Sequence, residues 1–327
     1  MRVYADRFHV GSGTTVGPLT VFPVWSETAP VDGFITPTAG GMVISEQAEP
    51  NVERLIVRNP NRSGLLIPEG TLLDGGWQTR VVAADTFVAA GAARNISVRC
   101  VEQGRWHGAG TGDAATRHEV DGRAPVSVVA ALRGIGGAQS ETQGKVWERV
   151  EKLEEHYGSR STKSLLDLMS FQGLNEREGR RLHGSAQDEK AQGRRLDPNL
   201  IAQVQQIAKR SLPGQSGVLI GIGGEPIALE IHGNPDSLSA QIQQIINAAM
   251  VDAATLNWQP TAGVKARGFA EEIMYTPVAT TRMSSHSQSF SGVGQGVDIR
   301  SIAASRGNTA SMHTTVINPR HQVVLAV

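Results

Sequence analysis

Asn95-Ile96-Ser97-Val98-Arg99-Cys100-Val101-Glu102 alternates along its whole length. A strand turns successive side chains to opposite faces. Ile96, Val98 and Cys100 therefore share one side, and Ser97, Arg99 and Val101 the other. The pattern recurs upstream, where Arg54-Leu55-Ile56-Val57-Arg58-Asn59 sets Leu55 and Val57 on one face. Asn59-Pro60-Asn61-Arg62-Ser63-Gly64 supplies turn chemistry, and Gly64-Leu65-Leu66-Ile67 resumes the strand, so the pair reads as a hairpin. Residues 19–24, 41–46, 80–83 and 86–88 read as further short strands. Short strands between turns predict an antiparallel β sandwich or barrel-like domain over residues 1–138.

The pattern changes downstream. Val146, Val150, Leu153 and Tyr157 recur at helical spacing, and Glu148 with Lys152 forms an i,i+4 pair in the favourable order. Residues 139–212 read as a helical segment, with an exposed polar stretch at 175–195. Asp197-Pro198 is a helix start, followed by the stripe Ile201, Val204, Ile207 and Ala208. Residues 126–132 read as one more strand. In residues 213–327 a strand ending at Ile222 turns at Gly223-Gly224 and returns through Pro226–Ile231. Leu238, Ile242, Ile245, Ile246, Ala249, Met250 and Ala253 form the apolar face of a helix capped by Asp236 or Ser237. The tail returns to β at 296–300, 310–317 and 322–327. The expected class is α+β, with an α/β C-terminal domain.

Composition narrows the function classes. The 327 residues carry 31 basic and 31 acidic side chains. Nucleic-acid binding normally leaves a basic excess, because phosphates must be neutralised, so no nucleic-acid partner is expected. A single cysteine, Cys100, excludes an intrachain disulfide and fits a reducing compartment. No apolar run is long enough for a membrane span, and Met1-Arg2-Val3-Tyr4-Ala5-Asp6 is not a secretory leader. The expected location is the cytoplasm.

Two polar stretches stand out between the strands: Ile67-Pro68-Glu69-Gly70-Thr71-Leu72-Leu73-Asp74-Gly75-Gly76-Trp77-Gln78-Thr79-Arg80 and Cys100-Val101-Glu102-Gln103-Gly104-Arg105-Trp106-His107. Arginine beside a carboxylate binds a planar anion or positions a water, and tryptophan stacks on a ring. The plainer reading is structural, with Arg80 and Glu102, or Arg105 and Glu69, as ion pairs beside a buried tryptophan. Cys100 at an inward position reads as a small core residue, with a nucleophile as the alternative. No His-x-His or His-Glu-x-x-His motif occurs, so no metal site is expected. Gly221–Gly224 and Gly292–Gly296 match neither a P-loop nor a dinucleotide fingerprint, and read as turns.

These residues resemble the family of proteins associated with ADP-ribosylglycohydrolases and rhodanese-like phosphatases. Glu69-Gly70 followed by Gly75-Gly76-Trp77-Gln78-Thr79-Arg80 is similar to the family's Gly-rich step into Gln-x-Arg. Val98-Arg99-Cys100-Val101-Glu102-Gln103-Gly104-Arg105-Trp106 follows its Val-x-Cys-Val-Glu-x-Gly-Arg-Trp. The hairpin and helix from Gly217 to Ala253, and the Gly292–Ile317 tail, match more loosely. The chain departs in having Glu-Gly rather than Gly-Glu at 69–70, Thr79 for asparagine, and a loosely matching strand around His313.

The resemblance implies a link to ADP-ribose or NAD metabolism without implying a reaction. The expected ligand is a small, nucleotide-like molecule. Glu102 and Arg80 are the candidate catalytic pair, and Glu69, Trp77, Gln78, Arg105 and Trp106 the candidate ligand contacts. No cofactor is identified. Two alternatives stand beside this reading. One is a structural, homo-oligomeric protein in which the polar segments lock two β layers together. The other is an enzyme that depends on Cys100.

Overall fold

The alternating strands close into a barrel. In the computed structural model, Arg80–Val82, Ala93–Cys100, Arg54–Arg58, Val43–Ser45, Arg117–Arg123 and Thr71–Gly75 follow one another around it. All neighbours are antiparallel. Ile44, Leu55, Val57, Leu73, Val82, Ile96 and Val98 fill the interior. The structure describes residues 3–4, 7–37, 41–49, 51–103, 117–136, 142–158, 163–174, 194–209, 211–284, 286–304 and 310–326.

The hairpin expected across residues 54–67 does not form. Arg54–Arg58 pairs with Ala93–Cys100 and Val43–Ser45 inside the barrel. Gly64–Ile67 crosses to a three-stranded sheet with Thr86–Val88 and Phe34–Ile35. Asn59 directs this. Its buried amide donates to the carbonyls of Ser63, Val88 and Ala89, which ties the connecting loop to the neighbouring strand. Turn chemistry alone does not say which strand comes back.

A ten-stranded antiparallel sheet forms the second β body. Its path runs Val3–Tyr4, Pro277–Arg282, Ser287–Val293, Asp298–Ala304, Ser311–Ile317, Glu225–His232, Gly217–Ile222, Leu19–Ser26 and Phe8–Val10, with Thr14–Val16 also on Leu19–Ser26. The expected 217–231 hairpin is present. Both ends of the chain contribute, since Leu19–Ser26 pairs along Gly217–Ile222 from Leu19↔Ile222 to Val24↔Gly217. The α+β class is as expected.

Helices fill the space between the β bodies. Thr142–Tyr157 buries Val146, Val150, Leu153 and Tyr157, and Pro198–Ala208 starts at the Asp197 cap, both as the periodicity predicts. Residues 175–193 of the polar stretch lie outside the described residues. Three expectations are corrected. Val126–Leu132 is a helix rather than a strand, although valines dominate it. Asp252 supplies what the sequence hides, accepting from Ser127 N at 3.0 Å and Ser127 Oγ at 2.5 Å and so capping this helix from across the core. The face from Leu238 onward belongs to two helices, Pro235–Ser239 and Ile242–Ala253, and the first is capped by Asn234, which accepts from Ser237 N. Residues 322–325 form the short helix Gln322–Leu325, whose first turn bonds His321. No described helix is long and apolar enough to cross a membrane.

Burial pushes the Asp252 carboxyl up to about 6, against the bonds from Ser127. A raised carboxyl binds its proton more tightly in the folded chain. Its contribution is therefore full below the unfolded value of about 3.9 and is lost as pH rises through about 6. Relative to Asp252→Asn, the native chain should gain stability as pH falls from 7 to 5, measured by urea denaturation. A pH-independent difference would show that Asp252 does not titrate there.

Candidate functional site

The barrel strand Arg117–Arg123 carries titratable side chains towards both ends, and two clusters form there. Arg117–Arg123 places His118 opposite Gly75 and Arg123 opposite Thr71. Thr71–Gly75 is five residues long, so at about 3.3 Å per residue its ends lie about 13 Å apart.

The first cluster gathers around Arg80, a fully buried side chain. Arg80 pairs with Cys100 across the strands. Its Nη1 donates to Gln78 Oε1 at 2.9 Å, and its Nη2 lies 3.9 Å from Glu46 Oε1. His118 Nε2 is 3.0 Å from the same Glu46 oxygen. The Glu102 carboxylate accepts from both the N–H and the hydroxyl of Thr79 at 3.0 Å. Gln78 Nε2 donates to the Glu102 carbonyl. Trp77 is half-buried, and its backbone N–H donates to Glu46. Glycine is required at position 76, where φ is +53° and a Cβ would lie 2.2 Å from His118 Nε2. Among the described residues, Glu46 Oε2 and His118 Nδ1 are buried with no hydrogen-bond partner. Unsatisfied buried polar atoms are scarce in folded proteins and mark places where a ligand or water belongs.

Cys100 sits in this layer with its thiol donating to the Glu102 carbonyl at 2.9 Å. Burial pushes the thiol up. It therefore stays protonated, whereas nucleophilic or redox chemistry needs the thiolate.

The second cluster joins the far end of the barrel strands to the ten-stranded sheet. Arg123 Nη2 donates to both Glu230 oxygens at 3.0 Å. His313 is held between Asp85 at its Nδ1, 2.9 Å, and Glu230 at its Nε2, 3.0 Å. His232 Nε2 lies 3.2 Å from Glu230, and its Nδ1 lies 3.1 Å from Ser237 Oγ. Burial opposes charge on His313, but Asp85 and Glu230 overturn that and hold its pKa at about 9. His232 lacks a carboxylate of its own, and burial pushes it down to about 4. Burial also opposes the charged forms of Glu230 and Asp85. Arg123 and the two histidines nevertheless hold Glu230 well below the usual carboxylate range, and His313 lowers Asp85. Beside these groups, Glu69 takes Arg133 on one oxygen and Arg300 on the other, and Arg133 also bonds Asp298.

The structure thus brings together Trp77, Gln78, Arg80 and Glu102, and sets Glu69 in the other cluster. Arg105 and Trp106 lie outside the described residues. Sequence reasoning missed Glu46, Asp85, Arg123, Glu230 and His232. Glu230-x-His232 at the end of a predicted strand was the available signal, because alternate residues share a face. Glu46 and Asp85 follow short strands and carry no local pattern.

The ARPP-1 family model, the ARG and Rhodanese-Phosphatase-superfamily-associated Protein domain, matches residues 7–324. The chain belongs to this family. The match runs through both β bodies and both clusters. The family's name sets it beside ADP-ribosylglycohydrolases, a loose tie to ADP-ribose metabolism. No curated protein and no solved structure matches the chain.

Glu69→Ala would leave the fully buried Arg133 facing a lost partner. The expected cost is about 3 kcal/mol, the low end for breaking a buried pair, because Arg133 keeps Asp298. Urea denaturation measures it, and a cost under about 0.5 kcal/mol would mean that the network re-pairs. Gly76→Ala should destabilise the chain and displace the His118 ring, visible as a shifted imidazole resonance. An unmoved ring would contradict the close approach.

Proposed function

We propose that the chain binds an ADP-ribose-like, nucleotide-type ligand at the Arg80–Glu102 end of the barrel. One observation carries the reading. A buried guanidinium and two carboxylates converge there, with Glu46 Oε2 and His118 Nδ1 buried and unpartnered among the described residues. Burying charge costs several kcal/mol per ion unless it is well compensated, and such clusters concentrate at functional sites. The family's tie to ADP-ribosylglycohydrolases supports the ligand class.

In this reading Arg80 meets phosphate charge, as a planar donor fork suits it to do. Glu102, fixed by Thr79, accepts from a ribose hydroxyl or serves as general base. Trp77 offers a half-buried ring for stacking. Arg105 and Trp106 follow Glu102 by three and four residues in the chain and extend the same chemistry.

A second reading has support in the closure of the network itself. Thr79 and Gln78 both bond Glu102 across the barrel end, as a purely structural lock would. Glu102→Gln separates the two, since the amide keeps the shape and can still accept from Thr79. Thermal unfolding is followed with ADP-ribose, NAD and AMP. At about 100 times its dissociation constant a ligand adds about 2.7 kcal/mol, a rise of several degrees. The binding reading expects that rise with ADP-ribose in the native chain and its loss in Glu102→Gln, with the ligand-free midpoint unchanged. No rise with any of the three, together with a lower ligand-free midpoint in Glu102→Gln, would favour the lock.

A further inference from the structure

The strand Glu225–His232 turns Glu230 and His232 to one face, as alternate residues must. On the adjacent strand His313 is the direct partner of His232. Register alone therefore sets two imidazoles and a carboxylate side by side on a rigid sheet. One ligand atom from each of Glu230, His232 and His313 lies within 4.8 Å of the others. Glu230 Oε1 is 3.0 Å from His313 Nε2 and 3.2 Å from His232 Nε2. Nitrogen and oxygen ligands about 2.1 Å from a common ion stand roughly 3.0–3.5 Å apart.

The outer partners add independent support. Each imidazole has its Nδ1 engaged, His313 by Asp85 and His232 by Ser237. Both Nε2 atoms are thereby aimed at the same place. Ligating histidines are oriented in this way, through a carboxylate or other polar partner on the far nitrogen.

A cavity of 40 Å³ reaches the group at Glu230, with Arg123, Glu69 and Thr315 also in its wall and mostly aliphatic side chains making up the rest. That volume holds about two or three waters. Arg123 is buried, and among the described residues its Nη1 has no hydrogen-bond partner. A cation beside an arginine is unfavourable taken alone. It becomes tolerable when an anionic ligand lies between them, and the cavity and the unpartnered Nη1 provide for one.

We infer that Glu230, His232 and His313 form a mononuclear site for a first-row divalent cation of the zinc class, with an open position facing the cavity for water or a small anion. Two histidines and one carboxylate with open positions suit such ions, whereas magnesium and calcium favour all-oxygen sets. The site lies at the opposite end of the barrel strands from the Arg80–Glu102 cluster, so it stands or falls separately from nucleotide binding.

The full-length chain, stripped with chelator, is titrated with Co²⁺ and followed by visible absorption. The expected result is one ion per chain, with the strong bands of a four- or five-coordinate site. His232→Gln should weaken binding by at least about a hundredfold, since even outer partners are worth 10–100-fold. Equal uptake by the native chain and the variant, or only the weak bands of a six-coordinate aqua ion, would overturn the assignment. X-ray absorption on the native chain guards against a variant that fails to fold. Two imidazoles in the first shell support the site, and none removes it.

Discussion

The contact of Arg123 Nη2 with both carboxylate oxygens of Glu230 is the joint on which the architecture turns. Arg123 ends a barrel strand, and Glu230 lies in the ten-stranded sheet. Arg123 is buried and the Glu230 side chain nearly so, and either charge left there alone would be costly, because an isolated ion in a protein interior costs several kcal/mol. The two β bodies must therefore meet in one register. Glu69 reinforces the joint by taking Arg133 from the capped helix and Arg300 from the sheet. With no cation bound, four acidic and four basic groups balance there when His313 carries its proton: Glu69, Asp85, Glu230 and Asp298 against Arg123, Arg133, Arg300 and His313.

That joint fixes what the same strands can do at their other ends. Thr71–Gly75, Arg80–Val82 and Arg117–Arg123 are short and stiff, with aliphatic side chains between the clusters. The two polar groups are thus separate clusters on shared supports. Arg80, Glu102 and His118 sit on strand ends and a turn held by Gly75 and Gly76, where backbone of positive φ is needed. Glu230, His232 and His313 sit in the middle of a sheet, where only cross-strand register sets geometry. The first arrangement suits a ligand that approaches the barrel end. The second suits an ion, which needs three atoms held rigidly and little room.

Membership of the ARPP-1 family connects the chain to ADP-ribose only through the family's name. What favours a nucleotide-type ligand is instead the barrel end itself, with a guanidinium, two carboxylates, the half-buried Trp77 and polar atoms that are unsatisfied among the described residues. Cys100, prominent in the motif, works there as a small buried residue whose thiol donates to the Glu102 backbone.

The sequence by itself determined the local elements whose period is unambiguous. The alternation at 95–100 and 54–58 became barrel strands, the Gly223-Gly224 turn became a hairpin, and the spacing from Val146 to Tyr157 became a helix. It also placed Gln78, Arg80 and Glu102 in one group, because the motif segments flank adjacent strands. Tertiary structure decided everything that depends on distant partners. The valine-rich 126–132 stretch is helical because Asp252, 125 positions away from Ser127, caps it. Gly64–Ile67 leaves its apparent hairpin because Asn59 bonds Val88 and Ala89. Glu69 parts from its neighbouring motif because a strand lies between them, and His313 meets Glu230 only through sheet register. Period and turn chemistry act over a few residues. Capping, strand pairing and charge balance act across space, and no pattern along the chain records them.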